Sequence, residues 1–175
     1  IDLSNFKTKH VVRISGLFSG CTSLVSYKLD ITEARHLVDY DYLFFGCKSL
    51  TSLDLSQFHT EDIISMKKMF SGCKSLTSLD LSHFDTQNVE IMIEMFKNCE
   101  SLTSLDISNF ETQNVENMRG MFAGCKTLRY LDISRFSGYG ETKGFMTGVP
   151  SSGKVRVGRR FDDIIKQYVP KKWLS

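Results

Sequence analysis

Apolar residues recur along this chain in two alternating rhythms that repeat every 26 residues. Cys21, Cys47, Cys73, Cys99 and Cys125 share that spacing, as do Phe18, Phe44, Phe70, Phe96 and Phe122 and the series Leu24, Leu50, Leu76, Leu102 and Leu128. Leu3, Leu29, Leu55, Leu81, Ile107 and Ile133 make a fourth column. In one unit, CESLTSLDISNFETQNVENMRGMFAGC from Cys99 to Cys125, Leu105 and Ile107 alternate with Ser104, Asp106 and Ser108. That period of two predicts a short strand with one buried face. Further on, Val115, Met118, Met121 and Phe122 fall on one stripe of a short helix or helical turn. Thr112 stands just ahead of the stripe, as Thr8, Thr60 and Thr86 stand ahead of theirs, where a hydroxyl can accept from the free amides of a first helical turn. Gly20, Gly46, Gly72 and Gly124 then permit a tight bend toward the next strand.

One strand and one helical turn cannot bury their apolar stripes alone, so successive units are expected to stack. The predicted fold is an α/β solenoid: a leucine-rich-repeat-like right-handed coil with a parallel concave sheet and short helical segments on the convex side. Strands are placed around Leu3, Leu29, Leu55, Leu81, Ile107 and Ile133. The 26-residue units fill 1–136, and 137–175 holds a shortened last repeat and a C-terminal cap. In that repeat Phe145 and Met146 stand for the Met-Phe pair, Val149 for Cys, and Val155 and Val157 for strand positions, with the spacing reduced to 24. Phe161, Ile164, Ile165, Tyr168 and Trp173 are expected to cover the open end of the core. The second unit departs from the pattern at Lys28, Asp30 and Thr32, while Leu29, Leu37, Tyr40, Leu43 and Phe44 keep the core.

At 175 residues, 41% hydrophobic and 24% charged, the chain has apolar material enough for one continuous core. Its net charge of +2 conceals a split between an acidic stretch from Ile1 to Pro150, with 15 basic and 18 acidic residues, and a tail with 7 and 2. No run of 18 apolar residues occurs, and IDLSNF matches the later repeats instead of opening a signal peptide. Because the pattern is already under way at Ile1, targeting signals are expected upstream in a longer protein.

The repeat resembles the BspA-like leucine-rich-repeat surface proteins, whose units read much like MFSGCKSLTSLDLSHFDTQNVEIM, found here from Met69 to Met92. The resemblance covers nearly all of Ile1 to Phe136. It implies an extracellular or cell-surface module used in adhesion and in binding host or matrix proteins, with no catalytic residues to carry over.

Candidate chemistry is sparse. The five cysteines lack the paired spacing of a metal site and are read as small buried fillers, with disulfides between adjacent units left open. The Met residues at 66, 69, 92, 95, 118 and 121 occupy columns that hold Ile14, Leu17, Tyr40 and Leu43 in earlier units, which assigns them to the core. No catalytic triad order, His-Glu-x-x-His run or phosphate loop appears, so neither an enzyme nor a cofactor is expected. The column Asp2, Lys28, Asp54, Asp80, Asp106 and Asp132 lies on the strand face opposite the buried Leu and Ile. Ser52, Asp54, Ser78, Asp80, Ser104, Asp106, Tyr130 and Asp132 are therefore the candidate binding surface, either for a basic partner or for calcium, against the plainer reading of a solvated polar face. Lys154, Arg156, Arg159 and Arg160 form a candidate basic patch, which serves either a polyanion or the solubility of the cap.

The expected function is a non-enzymatic protein-binding or adhesion module of a cell-surface protein. A structural spacer or self-associating array is the alternative, and an intracellular scaffold is the third. No nucleic-acid partner and no membrane span are expected.

Overall fold

The structure, a computed structural model, describes residues 1–138, 140–158 and 163–174. Strand β1 (Asp2–Leu3) pairs in parallel with β2 (Lys28–Leu29), and β3 (Ser104–Asp106), β4 (Tyr130–Ile133) and β5 (Lys154–Val157) form a second parallel sheet. Ser104 stands opposite Tyr130 and Tyr130 opposite Lys154, so the register steps by 26 residues and then by the predicted 24. Apart from these strands the described residues hold one short helix, α1 (Asp163–Lys166), and a 3-10 turn at Lys171–Trp173.

Two expectations are corrected. Strands were predicted around Leu55 and Leu81, yet neither segment joins a ladder. Side chains of neighbouring units bond to carbonyls there. The Tyr27 hydroxyl donates to the Asp54 carbonyl, His83 Nε2 lies 2.9 Å from the Leu55 carbonyl, and Asn109 Nδ2 donates to the Leu81 carbonyl at 3.0 Å. Leu55 and Leu81 stay buried, whereas Leu53 and Leu79 pack on the core only partly buried.

The larger correction concerns the helical segments, none of which form in the repeats. Each Met-Phe stretch is instead a run of tight turns. Leu43 N donates to the Tyr40 carbonyl (3.2 Å) and Cys47 N to the Phe44 carbonyl (3.1 Å), with Tyr42 (φ 57) and Gly46 (φ 71) third in their turns. A positive φ at that place is the mark of a type II turn. The remaining amides cross to the next unit: Tyr40, Tyr42, Phe44 and Gly46 donate to the carbonyls of Ser65, Lys67, Met69 and Ser71 at 2.8–3.0 Å. The pattern recurs at each junction down to Gly124, which donates to the Thr147 carbonyl at 2.7 Å. Isolated parallel bridges join Asp39, Ser65, Ile91, Asn117 and Glu141 along the same wall. A helix would satisfy its amides within one unit, whereas this wall spends them between units.

The threonines belong to the same arrangement and are not helix caps. Thr112 Oγ1 donates to the Ser137 carbonyl (2.6 Å) and accepts from Ser137 N (2.8 Å), and Thr86 does the same with Glu111 at 3.0 and 2.8 Å. Each hydroxyl thus staples its unit to the following one.

The core lies between the two walls. Phe18, Phe44, Phe70, Phe96 and Phe122 form one continuous stack, with centroids 5.4–6.1 Å apart and planes within 12° of parallel. Cys47, Cys73, Cys99 and Cys125 are buried and unbridged, and each thiol donates to the carbonyl of the Phe 29 residues earlier at 3.1–3.2 Å. Burial, and secondarily the neighbouring thiol, pushes Cys47 up to about 11 and Cys73 up to about 12. A thiol held protonated is a poor nucleophile. Only the partly exposed Cys21 of the native protein is therefore expected to react with Ellman's reagent at neutral pH, and all five in denaturant. Fewer than five in denaturant would reveal a disulfide.

At the C-terminal end Trp173 is buried, its Nε1 donating to the Pro150 carbonyl at 3.0 Å, and Tyr168 packs on the core with Val169. A β-carbon on Gly153 would lie 2.4 Å from the Trp173 ring, so the glycine makes room for the indole. Phe161 and the side chains of Ile164 and Ile165 lie outside the described residues.

Candidate functional site

The serine-aspartate row is built by the short strands and the turn that follows each. In every unit but the second and the shortened last, where Lys28 and Arg156 hold the column, the column aspartate accepts from the amide of the serine two residues on. Ser56, Ser82, Ser108 and Ser134 donate to Asp54, Asp80, Asp106 and Asp132, each at 3.0 Å. Such an Asx turn closes the loop after the strand and anchors one carboxylate oxygen. The other oxygen is left for solvent or a partner. The Ser56 hydroxyl and amide hold the Asp54 carboxyl below its ordinary value of 3.8. The amide and hydroxyl of Ser82 lower Asp80 in the same way, and the hydroxyl and amide of Ser108 lower Asp106.

Of the predicted binding residues, Ser52, Asp54, Ser78, Asp80, Ser104, Asp106 and Tyr130 are exposed. Asp132 is not. It is 1% exposed, covered by the Arg156 guanidinium at 3.5 Å and the Tyr130 hydroxyl at 3.3 Å, because β5 lays its own column residue beside β4. The row is thus closed at both ends by cations, since Lys28 sits 3.5 Å from Asp2. Between them Asp54, Asp80 and Asp106 remain as free carboxylates. Beside Asp54, the residues Ser4, Tyr27, Lys28, Asp30 and Gln57 line a recess on the same face. Among the described residues no group of three or more His, Cys, Asp or Glu side chains is placed to hold a metal ion. The calcium reading therefore gains no ligand set.

The predicted basic patch is only partly within view. Lys154 and Arg156 are exposed on β5, but Arg156 is committed to Asp132, and Arg159 and Arg160 lie outside the described residues. Sequence reasoning missed a second charged surface on the turn wall. There Lys68 and Lys97 converge on Glu94 at 3.4 and 3.0 Å, and Lys68 lies 5.6 Å from the Tyr42 ring. Tyr42, Lys68 and Glu94 share one column with positive φ, where Gly16, Gly120 and Gly144 stand in the flanking units. The signal was that glycine column. Three interrupted glycines in register mark a turn, and the residues replacing them stand out by contrast.

In-register parallel units joined side by side define this chain as a repeat protein. The family model described as "Mycoplasma protein of unknown function, DUF285" matches it twice in overlapping stretches, over residues 1–80 and 38–139, and the chain belongs to that repeat family. No curated protein and no solved structure matches it. Among the described residues no helix is long and apolar enough to cross a membrane.

Proposed function

We propose that the chain is a non-enzymatic protein-binding or adhesion module of a cell-surface protein: a BspA-like leucine-rich-repeat solenoid that takes a basic protein partner on its serine-aspartate face. The supporting observation is the row Asp54, Asp80 and Asp106, three exposed carboxylates in adjacent units, each with one oxygen fixed by a serine amide at 3.0 Å. Fixed carboxylates at repeating intervals suit lysine and arginine side chains, and little rotamer freedom is lost when they pair. The cell-surface setting rests on the likeness of the repeat to the BspA-like units.

A fluorescein-labelled nona-arginine peptide, followed by anisotropy at low salt, probes the face directly. Asn keeps the oxygen that accepts from Ser82 and Ser108, so Asp80→Asn with Asp106→Asn removes charge while leaving the turns intact. The double variant is expected to bind several-fold more weakly, while a control with Glu90→Gln and Glu116→Gln keeps most of the affinity. Equal loss in both variants, or none in the first, rejects the assignment. The lowered carboxyls stay ionised as the pH falls to their ordinary value of 3.8, so binding should persist to that point and disappear beneath it.

A further inference from the structure

One edge of the repeat array carries a charge pattern that neither the fold nor the serine-aspartate face uses. Val12, Val38, Ile64, Glu90 and Glu116 form a single row. Val38 N donates to the Val12 carbonyl (3.4 Å), Ile64 N to Val38 (3.0 Å), Glu90 N to Ile64 (2.9 Å) and Glu116 N to Glu90 (2.8 Å). The row is apolar for three units and acidic for two. Val12 is 53% exposed and Ile64 45%, two of the few large apolar side chains left open to solvent. Two and three residues before this row each unit presents an exposed pair: Lys9 with His10, Arg35 with His36, Glu61 with Asp62, Gln87 with Asn88, and Gln113 with Asn114.

The amide pairs are satisfied within the fold, Asn88 donating to the Glu61 carbonyl and Asn114 to the Gln87 carbonyl, both at 2.7 Å. The basic pairs are not. Lys9, His10, Arg35 and His36 converge on one recess with Glu33. Among the described residues neither Lys9 nor Arg35 has an ion-pair partner within 4.0 Å, and Arg35 stays unpaired although Glu61 and Asp62 line the adjoining recess with it.

Across the first three units the exposed pairs run basic, basic, acidic; in the fourth Asp85 and Glu90 flank an amide pair, and Glu33, in the column of Asp85, stands beside the basic pair of the second. Such an order is self-complementary when reversed. A two-fold axis between the second and third units sets Arg35, His36 and Val38 of one copy against Glu61, Asp62 and Ile64 of the other, and the same pairing is made twice. The outer units then place Lys9 near Asp85 and Glu90. Residue i meeting j while j meets i is the requirement of an isologous dimer.

We propose that this edge is the interface of a weak antiparallel homodimer, a surface separate from the serine-aspartate face. The occupant is a second copy of this chain, because the charge order complements its own reversal. Sedimentation velocity over a concentration series tests it. At low salt the weight-average mass is expected to climb from one chain toward two, and to fall back at high salt as the pairs are screened. Arg35→Glu and Glu61→Arg each place like charges opposite one another twice per dimer, so each variant alone should associate more than about tenfold more weakly. Mixed in equal amounts, the two variants are expected to regain a two-chain species, a recovery that a misfolded variant cannot give. A wild-type chain monomeric at every concentration overturns the proposal. So does an Arg35→Glu variant that associates like wild type, a mixture that stays monomeric, or a monomer that uses Arg35 to hold a heparin oligosaccharide.

Discussion

Phe96→Ala is expected to lower folding stability by about 3–5 kcal/mol, the range for emptying a well-packed aromatic site. Phe96 is fully buried and stacks on Phe70 at 5.6 Å and Phe122 at 5.5 Å, so its loss opens a gap in the middle of the ring column. In an array where each unit touches only its neighbours, one weak junction uncouples the parts on either side. Urea unfolding followed by circular dichroism should show an earlier midpoint and a transition that broadens or splits. A shift below about 1 kcal/mol would mean that the backbone ladder, and not the aromatic column, holds the units together.

Thr112→Val should destabilise the protein by about 2 kcal/mol although the two side chains have nearly the same shape. The hydroxyl both donates to and accepts from the Ser137 backbone, at 2.6 and 2.8 Å, and Thr112 is fully buried. Valine leaves an amide and a carbonyl without partners, and the cost of such orphans exceeds the value of the bonds themselves. Thr112→Ser keeps the hydroxyl and gives up one methyl, so it should be the milder change. If urea midpoints put Ser below Val, the staple between units contributes less than the packing of the methyl.

The period, the inward columns and the shortened last register were legible because each rests on side chains that repeat. The Phe, Cys and Leu columns could be aligned by eye, and Trp173 stood out as the chain's one tryptophan. The helical segments were misread for a definite reason. Val115, Met118, Met121 and Phe122 lie three or four residues apart both on a helix and in successive tight turns, so apolar spacing alone cannot separate the two. Gly16, Gly120 and Gly144 could have done so. Glycine in mid-helix costs about 1 kcal/mol relative to alanine, while at the third place of a type II turn it is favoured. The candidate face was legible as far as Asp106 and failed at Asp132, because burial there depends on Arg156 from a strand whose unit departs from the repeat.

The turn wall also has an electrical consequence. The amide-to-carbonyl bonds between its Met-Phe turns point from the earlier unit to the later, from Gly16 to Asp41 at one end through to Gly124 and Thr147 at the other, and they outnumber the reverse bonds of the row from Val12 to Glu116. Peptide dipoles aligned in this way add, as they do in an α-helix, but with the opposite sense: carbonyl oxygens face outward at the first unit. That end is the negative pole of the array, and it is where Lys7, Lys9 and Arg13 gather. Every unit added to such a stack lengthens the macrodipole, so a long array would sort cations toward its beginning and anions toward its end without any change in side chains.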